Sequence, residues 1–155
     1  MFWCFYFYAI RYQVMSSIQK SYHVTKNDFI HAGEASIHVK NLLKSMNYDP
    51  DLVRRVAICG YEAEMNLVMH GGDGQLSVDV NADRVVVQVA DNGPGIADVE
   101  LAMQEGYSTA KDEYREMGFG AGMGLPNIKK NSDEMMISSE QGNGTHVKMV
   151  FYNKG

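Results

Sequence analysis

The stretch Val85-Val-Val-Gln-Val-Ala-Asp-Asn-Gly-Pro-Gly-Ile96 decides how this chain folds, because a strand-forming run passes directly into a glycine-rich turn. β-Branched residues favour extended backbone, and the two glycines allow a sharp turn with room for a flat ligand beside it. Asp91 stands at the junction, where its carboxylate can accept a hydrogen bond from an exocyclic amine, and Ile96 offers apolar contact. Taken alone, the stretch is equally typical of a plain turn between a strand and a loop.

Hydrophobic periodicity extends this picture to both sides of the turn. Three segments alternate with a period of two and are predicted as strands: residues 76–80, 85–89 and 145–152. Residues 135–139 are predicted as a fourth strand. Three segments have a helical period and are predicted as helices: residues 33–46, 49–70 and 124–130. Residues 19–30 suggest an edge strand that leads into a turn. Residues 97–117 are polar and lack a strong period, which is typical of a flexible lid.

This order predicts an α/β (α+β) two-layer sandwich, in which helices cover one face of a mixed, mainly antiparallel sheet. With 155 residues, 45% of them hydrophobic, the chain has the size of one compact domain. We expect that domain to span residues 16–155. Residues 1–15 begin with an aromatic, uncharged run and are interpreted as an N-terminal extension that is not part of the fold.

The net charge and the cysteine content indicate which classes of partner and which cellular compartment to expect. The net charge of -5 is not organised into a basic stripe, so we expect no nucleic-acid partner. The apolar start is too short to span a bilayer and lacks the features of a secretory signal, so we expect no membrane association. Cys4 and Cys59 have no paired spacing, and this is typical of a reduced, cytoplasmic protein.

Three polar residues, Glu62, Asn66 and His70, follow one another at steps of four in the second predicted helix. Steps of four drift by only about 40° around a helix, so the three side chains share one stripe. An amide oxygen can occupy one site of an octahedral Mg²⁺ ion whose other ligands are phosphates and waters. The neighbouring carboxylate is then free to orient or deprotonate a nucleophile. A solvated helix face is the alternative.

A second glycine cluster, Gly118-Phe-Gly-Ala-Gly-Met-Gly124, precedes the third predicted helix. Alternate glycines expose backbone N–H groups, and a helix start adds its positive dipole end, so the cluster can bind phosphates. A hinge would have the same composition. Neither glycine cluster has the spacing of a dinucleotide fingerprint or of a Walker phosphate loop, which excludes the commonest nucleotide folds.

Four motifs taken together resemble the N, G1, G2 and G3 boxes of the GHKL ATPases, in their order and spacing. They are Glu62-x-x-x-Asn66-x-x-x-His70, Asp91-Asn-Gly-Pro-Gly95, Gly118-Phe-Gly-Ala-Gly-Met-Gly124 and Gly144-Thr145. The resemblance covers about residues 30–152 and implies a Bergerat ATP-binding fold. The small size, Glu62 and the segment at residues 98–109 look most like bacterial switch serine/threonine kinases and anti-sigma-factor kinases.

The resemblance implies a role for each matching position. Asn66 would be the Mg²⁺ ligand, Glu62 the base that prepares a serine or threonine hydroxyl, and Asp91 the residue that recognises adenine. The remaining nucleotide-binding positions would be Gly93, Gly95, Ile96, Gly118, Gly120, Gly122, Met123, Gly124 and Thr145. Lys111 and Arg115 are candidates to reach the γ-phosphate, chosen by charge and location. The lid has more charged residues between Thr109 and Gly118 than the family pattern, so Arg115 is less well defined.

The implied function is ATP-dependent phosphorylation of a STAS-domain protein in a bacterial partner switch, with ATP or ADP and Mg²⁺ as ligands. The resemblance also allows for a sigma factor as a second partner and for a homodimer. Two alternatives stay open. One is a nucleotide-binding regulator that sequesters a sigma factor or another protein without catalysis, and the other is an ATPase module like that of a histidine kinase.

Overall fold

The computed structural model describes residues 17–154, which form five strands and five helices. The strands are β1 (Ile18–Val24), β2 (Gly74–Val80), β3 (Arg84–Asp91), β4 (Glu134–Ser139) and β5 (Thr145–Tyr152). The helices are α1 (Glu34–Ser45), α2 (Pro50–His70), α3 (Val99–Ala102), α4 (Asp112–Glu116) and α5 (Gly124–Asn131). The expected extension over residues 1–15 lies outside the described residues, so it stays a prediction.

The strands form one sheet in the order β1-β2-β3-β5-β4. Each of the four pairs of neighbours is antiparallel in the described part of the chain. The predicted α/β class is therefore confirmed, while the parallel component of a mixed sheet is not found in residues 17–154. A short turn can join only antiparallel strands, and the turn at residues 140–144 returns β5 between β3 and β4.

Three rows of apolar side chains cross the sheet and form its inner face. The strand pairing aligns these rows as Leu76–Val89–Val147, Val78–Val87–Met149 and Val80–Val85–Phe151. All nine side chains are buried, and α1, α2 and α5 contribute to the same core. The alternation read from the sequence is thus the alternation of the two faces of the sheet.

The long helix α2 begins and ends where its sequence signals predict. Asp49 accepts a hydrogen bond from the Leu52 N–H at 3.0 Å, Pro50 occupies the first helical position, and Gly71 follows the last one. Although α2 has 21 residues, neither it nor another helix within residues 17–154 is long and apolar enough to cross a membrane.

A buried carboxylate, Glu64, attaches the start of α1 to α2. Its side chain is only 1% exposed and accepts hydrogen bonds from the backbone N–H groups of Gly33 (2.9 Å), Ala35 (3.2 Å) and Ser36 (2.9 Å). These donors have no partner within a helix start, and the carboxylate also complements the positive end of the helix. Glu64 therefore sets the position of α1 against the helix that carries Glu62 and Asn66.

The lid, defined as residues 97–117, contains two short helices that the sequence did not predict. Asp98 accepts a hydrogen bond from the Leu101 N–H at 2.9 Å and thereby caps α3, while α4 places Tyr114 inward. The Tyr114 hydroxyl donates to Asn27 Oδ1 at 2.9 Å, and its ring lies 5.2 Å from that of Phe29. The expectation of a lid without regular structure is thus wrong for α3 and α4.

Candidate active site

A cavity of 780 Å³ opens between α2, the end of β3, the lid and the start of α5. Eleven of the sequence-predicted residues line it: Glu62, Asn66, Asp91, Gly95, Ile96, Gly118, Gly120, Gly122, Met123, Gly124 and Thr145. Three others, Gly93, Lys111 and Arg115, are not part of its lining. The fold therefore brings together residues that are up to 83 positions apart in the chain.

Asp91 forms one end of this cavity, and one of its two carboxylate oxygens is already engaged. Oδ1 accepts hydrogen bonds from the N–H groups of Gly93 at 2.7 Å and Gly72 at 3.1 Å. No hydrogen bond from residues 17–154 reaches Oδ2, so this oxygen is available to a ligand. Gly93 lies behind the carboxylate, where a side chain would meet the Gly72 nitrogen at 2.3 Å. Gly93 thus contributes by holding Asp91 rather than by lining the cavity.

The turn between β4 and β5 packs tightly against the loop that follows Asp91. A Cβ on Gly95 would lie 2.2 Å from the Glu140 carbonyl oxygen, and one on Gly144 would lie 2.0 Å from that of Asp91. Both glycines also have positive φ, 74° and 78° respectively. Substitution at either position would separate the two loops, because a real Cβ does not approach another atom so closely.

Ser139 connects these loops through its hydroxyl group, and sequence reasoning missed it. Its Oγ accepts from the Ile96 N–H at 2.7 Å, donates to the Gly144 carbonyl at 3.0 Å and lies 2.8 Å from Thr145 Oγ1. Ile96 and Thr145 are therefore held on the same wall of the cavity. A serine at the end of a strand carries no signal for this role, because its partner is 43 residues away.

The glycine segment, residues 118–124, takes left-handed backbone conformations at three of its glycines. Gly118, Gly120 and Gly122 have φ values of 87°, 76° and 75°. A Cβ on Gly122 would lie 2.5 Å from the Gly106 carbonyl carbon, and the Gly122 carbonyl accepts the Gly106 N–H at 2.9 Å. The segment leads into α5 and lines the cavity, so it can present backbone N–H groups to an anion.

Glu62 and Asn66 lie on the face of α2 that contacts α5. The Glu62 Oε1 atom accepts a hydrogen bond from Asn127 Nδ2 at 2.8 Å. A Cβ on Gly124 would lie 3.1 Å from Asn66 Oδ1 and 3.4 Å from Glu62 Oε2. Gly124 is therefore the position at which the glycine segment approaches both side chains. Asn127 was not predicted from the sequence.

His70 also lines the cavity, at the end of α2. Burial lowers the pKa of its imidazole below the ordinary value. His70 is therefore neutral at physiological pH, and it can donate or accept a hydrogen bond through its two ring nitrogens.

The two lid cations predicted to reach the γ-phosphate point to other groups in this structure. Lys111 Nζ lies 3.6 Å from Glu113 Oε1 and 5.9 Å from the centre of the Tyr114 ring. Arg115 donates to the Ser108 carbonyl at 3.3 Å. Both side chains are exposed, so neither is fixed by packing.

The cavity combines a carboxylate with a free oxygen, an amide beside a second carboxylate, and a glycine segment at a helix start, as expected for the class of ATP-binding proteins. Comparison with known proteins agrees with this class. The profile of the family described as histidine kinase-, DNA gyrase B-, and HSP90-like ATPase matches residues 53–154, more than half of the chain. The chain belongs to this ATPase family, as the GHKL resemblance predicted.

Relatives within the family are serine/threonine kinases and anti-sigma factors. The chain is 29% identical over 115 residues to the serine/threonine-protein kinase RsbT of Bacillus subtilis, which covers 72% of this chain and 80% of that protein. It is 32% identical over 96 residues to an anti-sigma F factor of a Thermoanaerobacter species, which covers 59% of this chain and 64% of that protein. The predicted branch of the family, that of switch serine/threonine kinases and anti-sigma-factor kinases, is confirmed by these relatives.

Two solved structures share the fold. A mycobacterial sensor histidine kinase, MprB, superposes with a TM-score of 0.50 at 13% identity and covers 90% of this chain and 97% of that chain. A chain from the SiaB-SiaC complex of Pseudomonas aeruginosa superposes with a TM-score of 0.56 at 16% identity and covers 85% and 89% respectively. At these identities the superpositions establish the architecture alone.

Proposed function

We propose that the protein transfers the γ-phosphate of ATP to a serine or threonine hydroxyl of a STAS-domain partner protein in a bacterial partner switch. The observation that carries this proposal is the approach of Gly124 to both Glu62 and Asn66, which puts a candidate base beside the glycine segment. A cytoplasmic location belongs to the same proposal, since ATP and such a partner are available there.

Nucleotide binding would use the two ends of the cavity for different parts of the ligand. Asp91 Oδ2 would accept a hydrogen bond from the adenine amino group, with Ile96, Gly95 and Thr145 beside the base. The backbone N–H groups of the glycine segment would bind the phosphates, and Met123 would cover them from the rim of the cavity.

Asn66 is the residue that would hold Mg²⁺, and its environment fits that role. The amide is half-buried, lines the cavity and has no hydrogen bond to residues 17–154. The described residues contain no group of three histidines, cysteines or carboxylates suited to a metal, so the other ligands would come from phosphates and water. When bound, the ion supplies charge neutralisation on the phosphates.

In phosphoryl transfer, the protein contributes mainly by positioning the reacting groups and by neutralising charge. The serine or threonine oxygen forms a bond to the γ-phosphorus, the bond from that phosphorus to the β–γ bridging oxygen breaks, and ADP leaves. Glu62 takes the hydroxyl proton. Asn127 occupies Oε1, so Oε2 is the oxygen that receives it.

Lys111 and Arg115 would act only after the lid has moved. Both flank or belong to α4, whose attachment to the rest of the domain runs through Tyr114. A shift of this helix toward the phosphates would bring one cation to the γ-phosphate, where it would stabilise the charge of the transition state.

Labelled ATP with Mg²⁺ and candidate STAS-domain proteins tests the proposal directly. We expect label on a partner serine or threonine with the wild type and a loss of at least about 100-fold in transfer with Glu62→Gln, while Mg-ATP still binds. Tight ATP binding without transfer by the wild type would instead indicate a regulator that sequesters its partner. Transfer through a histidine to a receiver aspartate would indicate a histidine-kinase-like module.

The same purified samples test the two remaining expectations on assembly. Light scattering of the full chain measures whether it is a homodimer. Co-purification with sigma factors in the presence of ADP or ATP measures whether one of them is a second partner.

A further inference from the structure

Asn127 is the one side chain of α5 that donates a hydrogen bond to Glu62, within the described residues. We propose that Asn127 is a positioning residue for phosphoryl transfer, because its amide fixes the Glu62 carboxylate with Oε1 engaged and Oε2 open to the cavity. This inference rests on the proposed function, in which Glu62 accepts the hydroxyl proton. It adds a residue outside the four motifs that carried the resemblance.

The hydrogen bond between Asn127 and Glu62 can have only one direction. A carboxylate only accepts, so the atom of Asn127 that contacts Oε1 at 2.8 Å must be the amide nitrogen. By donating one N–H to Oε1, the Asn127 amide orients the Glu62 carboxylate and leaves its negative charge in place. The second oxygen, Oε2, then faces Gly124, where the glycine segment meets α5.

Asn127 can position Glu62 because α5 is itself anchored to α2. Arg55 Nε donates to the Asn131 carbonyl at 2.8 Å, and Cys59 Sγ lies 3.6 Å from the Ile128 carbonyl oxygen. Along α2, residues 55, 59, 62 and 66 share one face, and they contact residues 131, 128, 127 and 124 of α5 in descending order. The two helices thus run antiparallel, and the Glu62–Asn127 pair continues a fixed register.

The ion pair between Arg55 and Asp133 strengthens this register beyond the end of α5. Arg55 Nη2 lies 2.8 Å from Asp133 Oδ1, and both side chains are mostly buried, at 18% and 19% exposure. The Asn127 backbone is satisfied as well, since its N–H donates to the Met123 carbonyl at 2.8 Å. The side-chain amide is therefore presented from a helix that cannot easily slide.

Steady-state kinetics of Asn127→Ala measure the positioning role. We expect kcat for transfer to the STAS-domain substrate to fall about tenfold or more, because small misplacements of a reacting group are costly. The KM for Mg-ATP should stay within about twofold, and the Tm close to that of the wild type. Asn127→Asp, which sets two carboxylates against each other, should lower kcat further.

Asn131→Ala is the matched control. Asn131 lies on the same helix, its Nδ2 donates to the Asn127 carbonyl at 2.9 Å, and it does not contact Glu62. We expect its kcat to equal that of the wild type. In the Glu62→Gln background, Asn127→Ala should have no further effect, because two residues that act as a unit are not additive.

A spectroscopic test separates this inference from the proposed function. In ¹⁵N-labelled protein without partner or nucleotide, the Asn127 side-chain amide signals should move in Glu62→Gln, and by more than in Asn131→Ala, which removes only a hydrogen bond to the Asn127 backbone carbonyl. Unmoved signals, or a kcat for Asn127→Ala equal to that of the wild type while Glu62→Gln is inactive, would overturn the role of Asn127. Full transfer by Glu62→Gln would overturn the assignment of the base while the hydrogen bond itself still stands.

Discussion

Asp91 illustrates how one side chain can serve the fold and a ligand at the same time. Oδ1 holds the Gly72 and Gly93 N–H groups, and Oδ2 accepts no hydrogen bond from the described residues. In Asp91→Asn, the amide oxygen can keep the two backbone donors while the amide nitrogen replaces Oδ2. We expect the Mg-ATP affinity to fall about 10- to 100-fold in calorimetry, since a donor then meets the adenine amine. A mutant with wild-type affinity would remove Asp91 from adenine recognition.

His70 gives the domain a dependence of stability on pH. Burial lowers its pKa in the folded state, so the unfolded chain takes up a proton first, near pH 6.5. The free energy of unfolding should therefore decrease as the pH falls from about 6.5 through the lowered pKa. His70→Gln should reduce this decrease in urea titrations between pH 7 and pH 5.

His31 provides the control of opposite sign. A hydrogen bond to Asp28 raises the pKa of its imidazole. The stabilising contribution is thus fully present below about pH 6.5 and is lost as the pH rises through the raised value. We expect His31→Gln to lower the free energy of unfolding at pH 5 and to leave it unchanged at pH 8. Equal slopes for both variants would contradict this assignment.

Site residues that could be predicted from the sequence depend on local structure, whereas those that were missed contact residues far away in the chain. Asp91 and the alternating glycines were predictable because a sharp turn and a glycine-rich segment leave a local signature in the sequence. Asn127, Ser139 and Glu64 were not, because their partners lie 65, 43 and 31 positions away in the chain. Such pairs are defined only by the packing of helices and loops onto the sheet. The contacts of Lys111 and Arg115 with other groups of the lid could not be predicted from the sequence either.

At the scale of elements, α4 attaches the second half of the lid to the domain, while Ala102 and Met103 of the first half pack against the core. Tyr114 donates to Asn27 Oδ1, and the Phe29 ring contacts the rings of both Tyr114 and Phe119. In Tyr114→Phe the ring packing is kept and the hydrogen bond is lost. We expect amide hydrogen exchange in residues 110–119 to become about fivefold faster, which corresponds to a hydrogen bond of about 1 kcal/mol.

Tyr107→Phe is a suitable comparison for this measurement. Tyr107 lies in the same lid, is exposed, and its hydroxyl contacts no acceptor among the described residues. Its exchange pattern should match that of the wild type. If both variants exchanged alike, α4 would be held by apolar packing alone.

The long helices and strands were predictable because their hydrophobic residues repeat with a regular period over many positions. Alternation identified β2, β3 and β5, and helical spacing with caps identified α1, α2 and α5 within a few positions. The edge strand β1 ends at Val24 and is followed by a turn, as predicted for residues 19–30. The helices α3 and α4, with four and five residues, are too short to show a period.

For the whole molecule, ligand binding and folding are linked. A ligand that binds only the folded protein at 100 times its Kd raises the free energy of unfolding by about 2.7 kcal/mol. For a domain of this size we expect Mg-ATP to raise Tm by about 5–10 °C. Differential scanning fluorimetry with Mg-ATP, Mg-GTP and Asp91→Asn measures this shift. Equal shifts with both nucleotides would contradict adenine selectivity.

The close backbone contacts at Gly74, Gly95 and Gly144 leave the end of β3 no freedom to adjust. The opposite wall of the cavity is the lid, whose only buried side chains in the described structure are Ala110 and Tyr114. The wall formed by the end of β3 is thus preformed, while the lid is adaptable. We expect this difference to order the steps of ligand binding. We expect a nucleotide to place its base against the preformed wall first and its phosphates to be enclosed by the lid afterwards. On this view, the opening of the lid would set the rate at which ADP leaves.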